Sequence, residues 1–427
     1  MTGDGKVVII GLDGVPFGML EDFAASAVMP NTQKLISQGI FRKTHSTIPE
    51  VSCVAWSSII TGANPGGHGI FGFMDLHPDS YRIRFPNFND LKARPFWETW
   101  DGPSVIINVP ATYPVRKMNG VLISGFVSIE FEKSVYPGSL INPLKQMDYR
   151  LDVDSQKGHT DIEGFLADLK KTLEAEIEAY RYLWDKQDWR TFMLVFTTTD
   201  RLMHFLWNAY EDKQHKYHDI FLEHFRRIDE AVGEILGKIS DDDLVVMLSD
   251  HGFGRLEKDV FISYVLAEEG ILRFKQDQEL SLENICFGTK AFVLDPARIY
   301  INYKGKYPFG TVEPDEAEEV LSQLEEIFRA LEVDGKKVVR DIYRKSQVYQ
   351  GPYTGEGPDL ILVGAEGFNL KATVKAKHLT DKPVFSGKHT QDDAFLIVRG
   401  LSDESIVPEV PVVWDIKAIV EKAKGWV

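Results

Sequence analysis

Three apolar segments of this 427-residue chain each run into an aspartate: Lys6-VVIIGL-Asp13, Phe192-MLVFTTT-Asp200 and Leu244-VVMLS-Asp250. Each reads as a buried strand followed by a carboxylate at its C-terminal end. Histidines follow two of them, in Asp200-RLM-His204 and Asp250-His251. Amphipathic helices lead into the second and third strands. Residues 161–187 place Phe165, Leu169, Leu173, Ile177, Tyr180 and Trp184 at helical spacing, and residues 218–238 do the same with Phe221, Phe225, Ile228, Val232 and Leu236. Such strand–helix alternation predicts an α/β fold, a mostly parallel sheet with helices on both faces. Ligands of these sheets bind beyond the carboxyl ends of the strands, where the aspartates lie.

Residues 103–110 read as a further strand, Pro30–Gly39 as a short helix closed by glycine, and Ser52–Gly62 as a helix with a glycine stop. Residues 256–355 are less regular. They hold an acidic helix at Glu313–Leu331, then a Gly/Pro-rich loop at 351–359 that leads to a strand at Leu360. We read 1–255 and 356–427 as one catalytic core and 256–355 as an inserted small lobe.

The balance of 48 basic and 64 acidic residues gives a net charge of −16, with no Lys/Arg block, which argues against a nucleic-acid partner. Two cysteines, Cys53 and Cys286, exclude a disulfide framework and fit a reducing compartment. Residues 1–5 are too short and polar for a leader, and no apolar run reaches the roughly 20 residues of a membrane span. A cytoplasmic protein is expected; the oligomeric state is not legible.

If Arg201–Trp207 is helical, Asp200 and His204, at i and i+4, share one face. Taken alone, this spacing is more often a surface pair than a ligand pair. Asp250 and His251 reach one ion only if the backbone turns between them, and Gly252 and Gly254 would ease that turn. Gly11-LD-Gly14-VPF-Gly18 is a glycine-rich rival reading, but it lacks dinucleotide-binding spacing and Pro16 interrupts the helix entry. His389, in Phe385-SGKHT, gains meaning only as a ligand that completes the others. Aspartate and histidine ligands without cysteine suit zinc first and manganese second. Ser52, at the expected start of a helix, is a candidate nucleophile or a simple N-cap. Ser46, Thr47 and Cys53 compete with it.

Six segments together resemble the alkaline phosphatase superfamily, and most closely its type I phosphodiesterase/nucleotide pyrophosphatase-like branch. They are GLDGV (11–15), VSCVAWSSIITGANPGGHGIFGF (51–73), TTDRLMH (198–204), SDHGFG (249–254), PDLILV (358–363) and SGKH (386–389), in the family's order across nearly the whole chain. The resemblance implies two divalent metal ions, one held by Asp13, Asp250 and His251 and the other by Asp200, His204 and His389. It also implies that Ser52 is the nucleophile, nine residues before Thr61 of the T-G-x-x-P-x-x-H-G-I segment.

The expected activity is phosphoester hydrolysis through a covalent phosphoserine on a small-molecule phosphoester. Alternatives are a phosphomonoesterase, a phosphonate hydrolase, a phosphoglycerate mutase-like phosphoryl transferase, or a non-catalytic metal- or phospho-ligand-binding protein. Two departures bear on substrate. Serine stands where nucleotide pyrophosphatases usually carry threonine, and Phe73 stands near where they place an asparagine. Cys53-VAW does not supply the C-x-P-x-R of sulfatases. No arginine equivalent to the phosphate clamp of alkaline phosphatases is evident, which leaves Phe73 and Lys388 as candidate substrate contacts, with Trp97 and Tyr113 as further aromatics.

Overall fold

A computed structural model describes residues 5–426; residues 1–4, part of the segment read above as no leader, lie outside the described residues. Eight strands form the main sheet: β1 (Val7–Leu12), β2 (Ile40–Thr44), β3 (Ser104–Val109), β4 (Gly120–Ser124), β5 (Val135–Tyr136), β6 (Thr191–Phe196), β7 (Leu244–Leu248) and β8 (Ala394–Arg399). Their spatial order is β2-β8-β7-β1-β6-β3-β4-β5. The central strands β7, β1, β6, β3 and β4 run parallel, and the antiparallel pairings lie toward the two edges. Every residue of β1, β3, β6 and β7 is buried, as expected of parallel strands covered on both faces. Leu12 pairs with Phe196 and Gly11 with Leu248, so β1, β6 and β7 end nearly level.

Helix α1 (Ser52–Thr61) ends on Gly62, whose φ of 66° is the left-handed conformation that a glycine C-cap adopts without strain. α2 (Ile162–Lys186) starts at Asp161, whose carboxylate accepts the Gly164 N–H at 3.0 Å. Its residues Phe165, Leu169, Leu173, Ile177 and Tyr180 are buried, as are Phe221, Phe225, Ile228 and Val232 of α4 (His218–Lys238). Between them runs α3 (Thr198–Glu211). α2, α3 and α4 share one core with β1, β3 and β6.

Two local readings change. β6 stops at Phe196, and Asp200 sits in the first turn of α3 rather than at a strand end. Thr199 explains part of this, because its hydroxyl bonds the Phe196 carbonyl (3.0 Å) and the Asp13 carbonyl (2.7 Å), backbone acceptors that a helix start leaves within reach. The acidic helix is shorter than expected, Ala317–Ala330, and a turn closed by the Glu316 carboxylate on the Glu313 N–H at 3.0 Å precedes it.

The chain divides into two compact units. The first takes residues through Ala63, Asn87–Gly254 and from Val384 onward; the second takes Asn64–Pro86 and Arg255–Pro383. The expected lobe at 256–355 falls wholly within the second unit, but residues 64–86 and 356–383 fall there too. Leu360–Gly364, expected in the core, instead joins a four-stranded sheet of the second unit with Ala291–Leu294, Arg298–Ile301 and Val339–Arg344. Sequence distance hid this, because Arg298 finds its antiparallel partner far along the chain, at Ile361. Cys53 and Cys286 are not joined in a disulfide. Among the described residues no helix is long and apolar enough to cross a membrane.

Gly11 of β1 admits Trp56 of α1: a Cβ there would meet the Trp56 ring at 2.5 Å and Val195 at 3.0 Å. Gly11→Ala should therefore lower stability by about 1–3 kcal/mol through overpacking. Denaturant unfolding would measure this, and an unchanged midpoint would show that Trp56 moves aside freely.

Candidate metal centre

The carboxyl ends of β1, β6 and β7 bring six ligand-type side chains and one hydroxyl together within the first unit. Asp13 leaves β1 directly. Gly14, with φ 74°, turns the chain there, and its N–H donates to Asp250 Oδ1 at 3.0 Å. The Trp56 indole N–H donates to Asp13 Oδ2 at 2.8 Å, which leaves Oδ1 directed toward Ser52 and His251.

Ser52 is the first residue of α1, and Val51, not Ser52, is the N-cap residue. The Ser52 hydroxyl is therefore not a cap. It lies 3.3 Å from Asp13 Oδ1 and 3.1 Å from His251 Nε2. Of its competitors, Thr47 donates its hydroxyl to the Pro49 carbonyl at 2.8 Å.

All three expected histidine ligands are oriented alike. The Nδ1 atoms of His251, His204 and His389 lie 3.0, 3.2 and 2.9 Å from the carbonyl oxygens of Gly252, Gly387 and Glu50. A carbonyl only accepts, so each ring carries a proton on Nδ1, and in the neutral form each presents a lone pair at Nε2. His251 Nε2 faces Asp250 Oδ2 at 3.4 Å and Asp13 Oδ1 at 3.6 Å. His389 Nε2 faces Asp200 Oδ1 at 3.0 Å and His204 Nε2 at 3.0 Å.

Asp13, Asp250 and His251 offer ligand atoms within 4.8 Å of one another, and so do Asp200, His251 and His389. His204 joins the second group through Asp200 Oδ1, at 3.4 Å. Asp250 Oδ2 is buried with no hydrogen-bond partner. Carboxylate oxygens and imidazole lone pairs turned toward one another, with no proton between them, are a donor set that fits divalent cations.

Gly252 is required for close approach rather than for the turn assigned to it. It opens the strand Gly252–Phe261, and a Cβ on it would meet Thr390 Oγ1 at 2.4 Å.

The electrostatics agree with the donor set. Burial, with the charge of Asp250, raises the Asp13 carboxyl well above its ordinary range. Burial raises Asp250 to about 7. It also holds His251 well below its usual value and His204 at about 4. For Asp200, burial is outweighed by His204, His389 and Arg201, which bring its carboxyl below the usual range. Around Ser52, Asp13 and Asp250 pushed toward protonation beside a neutral His251 mark buried negative charge that a divalent ion would offset, while for His389 burial is outweighed by the hydrogen bond to Asp200 and its charge, which raise it.

The structure thus brings together Asp13, Ser52, Asp200, His204, Asp250, His251 and His389. Lys388 is buried on the strand Gly387–Thr390, and strand alternation turns it to the face opposite its neighbour His389. Phe73 belongs to the second unit. Residue-by-residue reading missed Trp56, Arg201 and Asp152. Arg201 Nε and Nη2 grip both oxygens of Asp152 at 3.0 and 2.7 Å, while its Nη1 donates to Asp200 Oδ2 at 3.3 Å. Adjacency to Asp200 was the only available signal for Arg201; Asp152, 49 residues away, had none.

The sequence matches the family model "Type I phosphodiesterase / nucleotide pyrophosphatase" over residues 7–392. No curated protein matches it. Among solved structures, the chain is similar to a phosphonoacetate hydrolase from Sinorhizobium meliloti 1021 in complex with phosphonoformate. The TM-score is 0.66 and the identity 16%, with 99% of this chain and 96% of that one covered. It is also similar to murine ectonucleotide pyrophosphatase / phosphodiesterase 5 (TM-score 0.55, 11% identity, coverage 99% and 95%). The human enzyme of the same name gives 0.55, 13%, and coverage of 98% and 95%. At such identities the likeness speaks for the fold.

Elemental analysis of the wild-type protein should find about two divalent ions per chain, and about one after Asp200→Asn with His389→Ala. Chelation should lower the thermal midpoint, and zinc or manganese should restore it. A midpoint indifferent to chelator would count against the centre.

Proposed function

The chain belongs to the type I phosphodiesterase / nucleotide pyrophosphatase family, and from that premise we propose that it cleaves small phosphoesters through a covalent phosphoserine on Ser52. The observation that carries this reading is the Ser52 hydroxyl, buried between Asp13 Oδ1 and the bare His251 Nε2.

Asp13, Asp250 and His251 would hold one divalent ion and Asp200, His204 and His389 the other. The donor set favours zinc, with manganese second. Ions bound there supply Lewis acidity, which makes a serine alkoxide accessible near neutral pH and offsets charge on the phosphoryl oxygens.

The chain's own residues supply placement. The Asp13 carboxylate accepts from the Ser52 hydroxyl and is itself fixed by Trp56, so the nucleophile keeps one orientation. The N-terminal N–H groups of α1 favour negative charge beside Ser52. The serine oxygen bonds to phosphorus as the ester oxygen leaves from the opposite side. The serine proton departs with the leaving alcohol; water then attacks the phosphorylated serine, releasing phosphate from a monoester or the remaining monoester from a diester, and one of its protons restores the hydroxyl.

Diester, monoester and phosphonate remain the competing substrate classes. The likeness to the phosphonoacetate hydrolase of Sinorhizobium, with its bound phosphonoformate, supports keeping phosphonates, already expected as an alternative, in that set. A mutase-like transfer and a non-catalytic ligand-binding role are the other readings, and the complete ligand set weighs against the second. The domain reading we propose is a catalytic first unit that carries all seven residues. Two cysteines outside any disulfide fit a reducing, cytoplasmic setting.

Ser52→Ala should reduce turnover of chromogenic phosphoesters by roughly a thousandfold or more without loss of bound metal. A metal-loaded variant with wild-type rates would remove Ser52 from the mechanism.

A further inference from the structure

Glu176 is a carboxyl group that the two-ion reading does not use. It lies in the middle of α2, and its side chain is wholly buried. The charge that bears on it is that of Asp152, of its own sign, and Asp152 is itself held by Arg201 of α3. Burial, with the charge of Asp152, raises the Glu176 carboxyl well above its ordinary range. Tyr149 is the other titratable group facing it, and burial with the charge of Glu176 raises that phenol in turn.

The partner of Glu176 comes from β3, which pairs with β6 only as far as Ile107 and Leu194. A bulge between Ile107 and Val109 takes Asn108 out of the ladder with β4. Its φ of 65° lies in the left-handed region, which asparagine enters more readily than most residues. The side chain continues what the ladder leaves off. Asn108 Nδ2 donates to the Val195 carbonyl of β6 at 2.9 Å, to Thr197 Oγ1 at 3.2 Å and to Glu176 Oε1 at 2.7 Å.

These bonds fix which way the amide points. The Val195 carbonyl only accepts, so the atom facing it is the nitrogen, and Oδ1 is the amide's acceptor. Asn108 Oδ1 and Glu176 Oε2 are both buried, and among the described residues neither has a hydrogen-bond partner. An ionised Glu176 therefore leaves two acceptors unpaired at the full cost of their desolvation. A single proton on Oε2 makes Glu176 a donor as well as an acceptor. A carboxylic acid and a primary amide then match side by side, N–H to Oε1 and O–H to Oδ1.

What Asn108 holds is the approach to α3. Val195 is the last residue but one of β6, Thr197 directly precedes α3, and Asp200 and His204 lie in its first two turns.

We propose that Glu176 is a neutral carboxylic acid paired with the Asn108 amide, and that the pair is a positioning device that sets the start of α3 and with it Asp200 and His204. Its bearing on the centre rests on the ligand reading of those two residues; the protonated acid and the ordering of α3 do not.

Glu176→Gln keeps a donor and an acceptor in place and cannot ionise, whereas Glu176→Leu removes both. Infrared difference spectra of wild type against Glu176→Gln at about pH 7 should show the carbonyl band of a protonated carboxylic acid, shifted in D2O. The native state then binds one proton more than the unfolded chain, so stability falls as pH rises above the ordinary glutamate range. The unfolding constant of wild type, relative to that of Glu176→Gln, should rise about tenfold per pH unit from about pH 5 to about pH 7. In chelated protein, amide hydrogen exchange over 197–204 should be about tenfold faster in Glu176→Leu and unchanged in Glu176→Gln, with exchange in α4 the same in both. Loaded with zinc, Glu176→Leu should retain about one ion per chain where wild type retains about two. If Glu176→Leu does not fold, Asn108→Gly replaces it, since glycine accepts the φ of 65° and removes the amide. Absence of the acid band, or a pH-independent ratio of unfolding constants, would make Glu176 an ionised residue and overturn the proposal. Unchanged exchange over 197–204, an equal rise in α4, or two ions retained by Glu176→Leu would also overturn it. If exchange changed as expected and wild type bound no ion, the pair would still position α3, and the ligand reading would fall instead.

Discussion

Asp13, Asp200 and Asp250 occupy one nearly solvent-free place, and like charges so close cannot all ionise without compensating cations. Much of the surrounding architecture answers to that constraint. The level ends of β1, β6 and β7 bring the carboxylates together. Gly14 turns the chain tightly enough for its N–H to reach Asp250, and the Trp56 indole fixes one oxygen of Asp13. α1 then begins at the spot where a nucleophile would gain from the same field. Fold and site are in this sense one problem, because the sheet supplies a rigid edge and the edge is useful only if cations make it tolerable.

Periodicity made much of this legible. The buried strands and the helices 162–186 and 218–238 follow from apolar spacing, since a helix must bury one stripe and a parallel strand both faces. Asp13, Asp250 and His251 were visible because they follow strands directly. Asp200 was visible for a partly wrong reason: the apolar run and the threonines after it read as one strand, whereas hydroxyl–backbone bonds start a helix there.

Features with no local signature stayed hidden. Asp152 meets Arg201 across 49 residues, and Asn64–Pro86 falls in a different unit from the nucleophile helix it directly follows. Such pairings depend on tertiary closure, which no window of sequence reports. Phe73 illustrates the consequence: it closes the same matched segment, 51–73, that opens on the nucleophile helix, while the fold gives it to the unit of Asn64–Pro86 and Arg255–Pro383.

The three histidines lean on main-chain carbonyls at Gly252, Gly387 and Glu50, not on side chains. Every amino acid carries a carbonyl, so substitution at those three positions does not delete the acceptor. The protonation pattern of the ligands is thus written into the path of the chain rather than into its alphabet. Two of those positions are nonetheless held by packing: a Cβ on Gly252 would meet Thr390 Oγ1 at 2.4 Å and one on Gly387 would meet the Met203 carbonyl oxygen at 2.6 Å, so the path of the chain keeps the acceptors and glycine keeps the path.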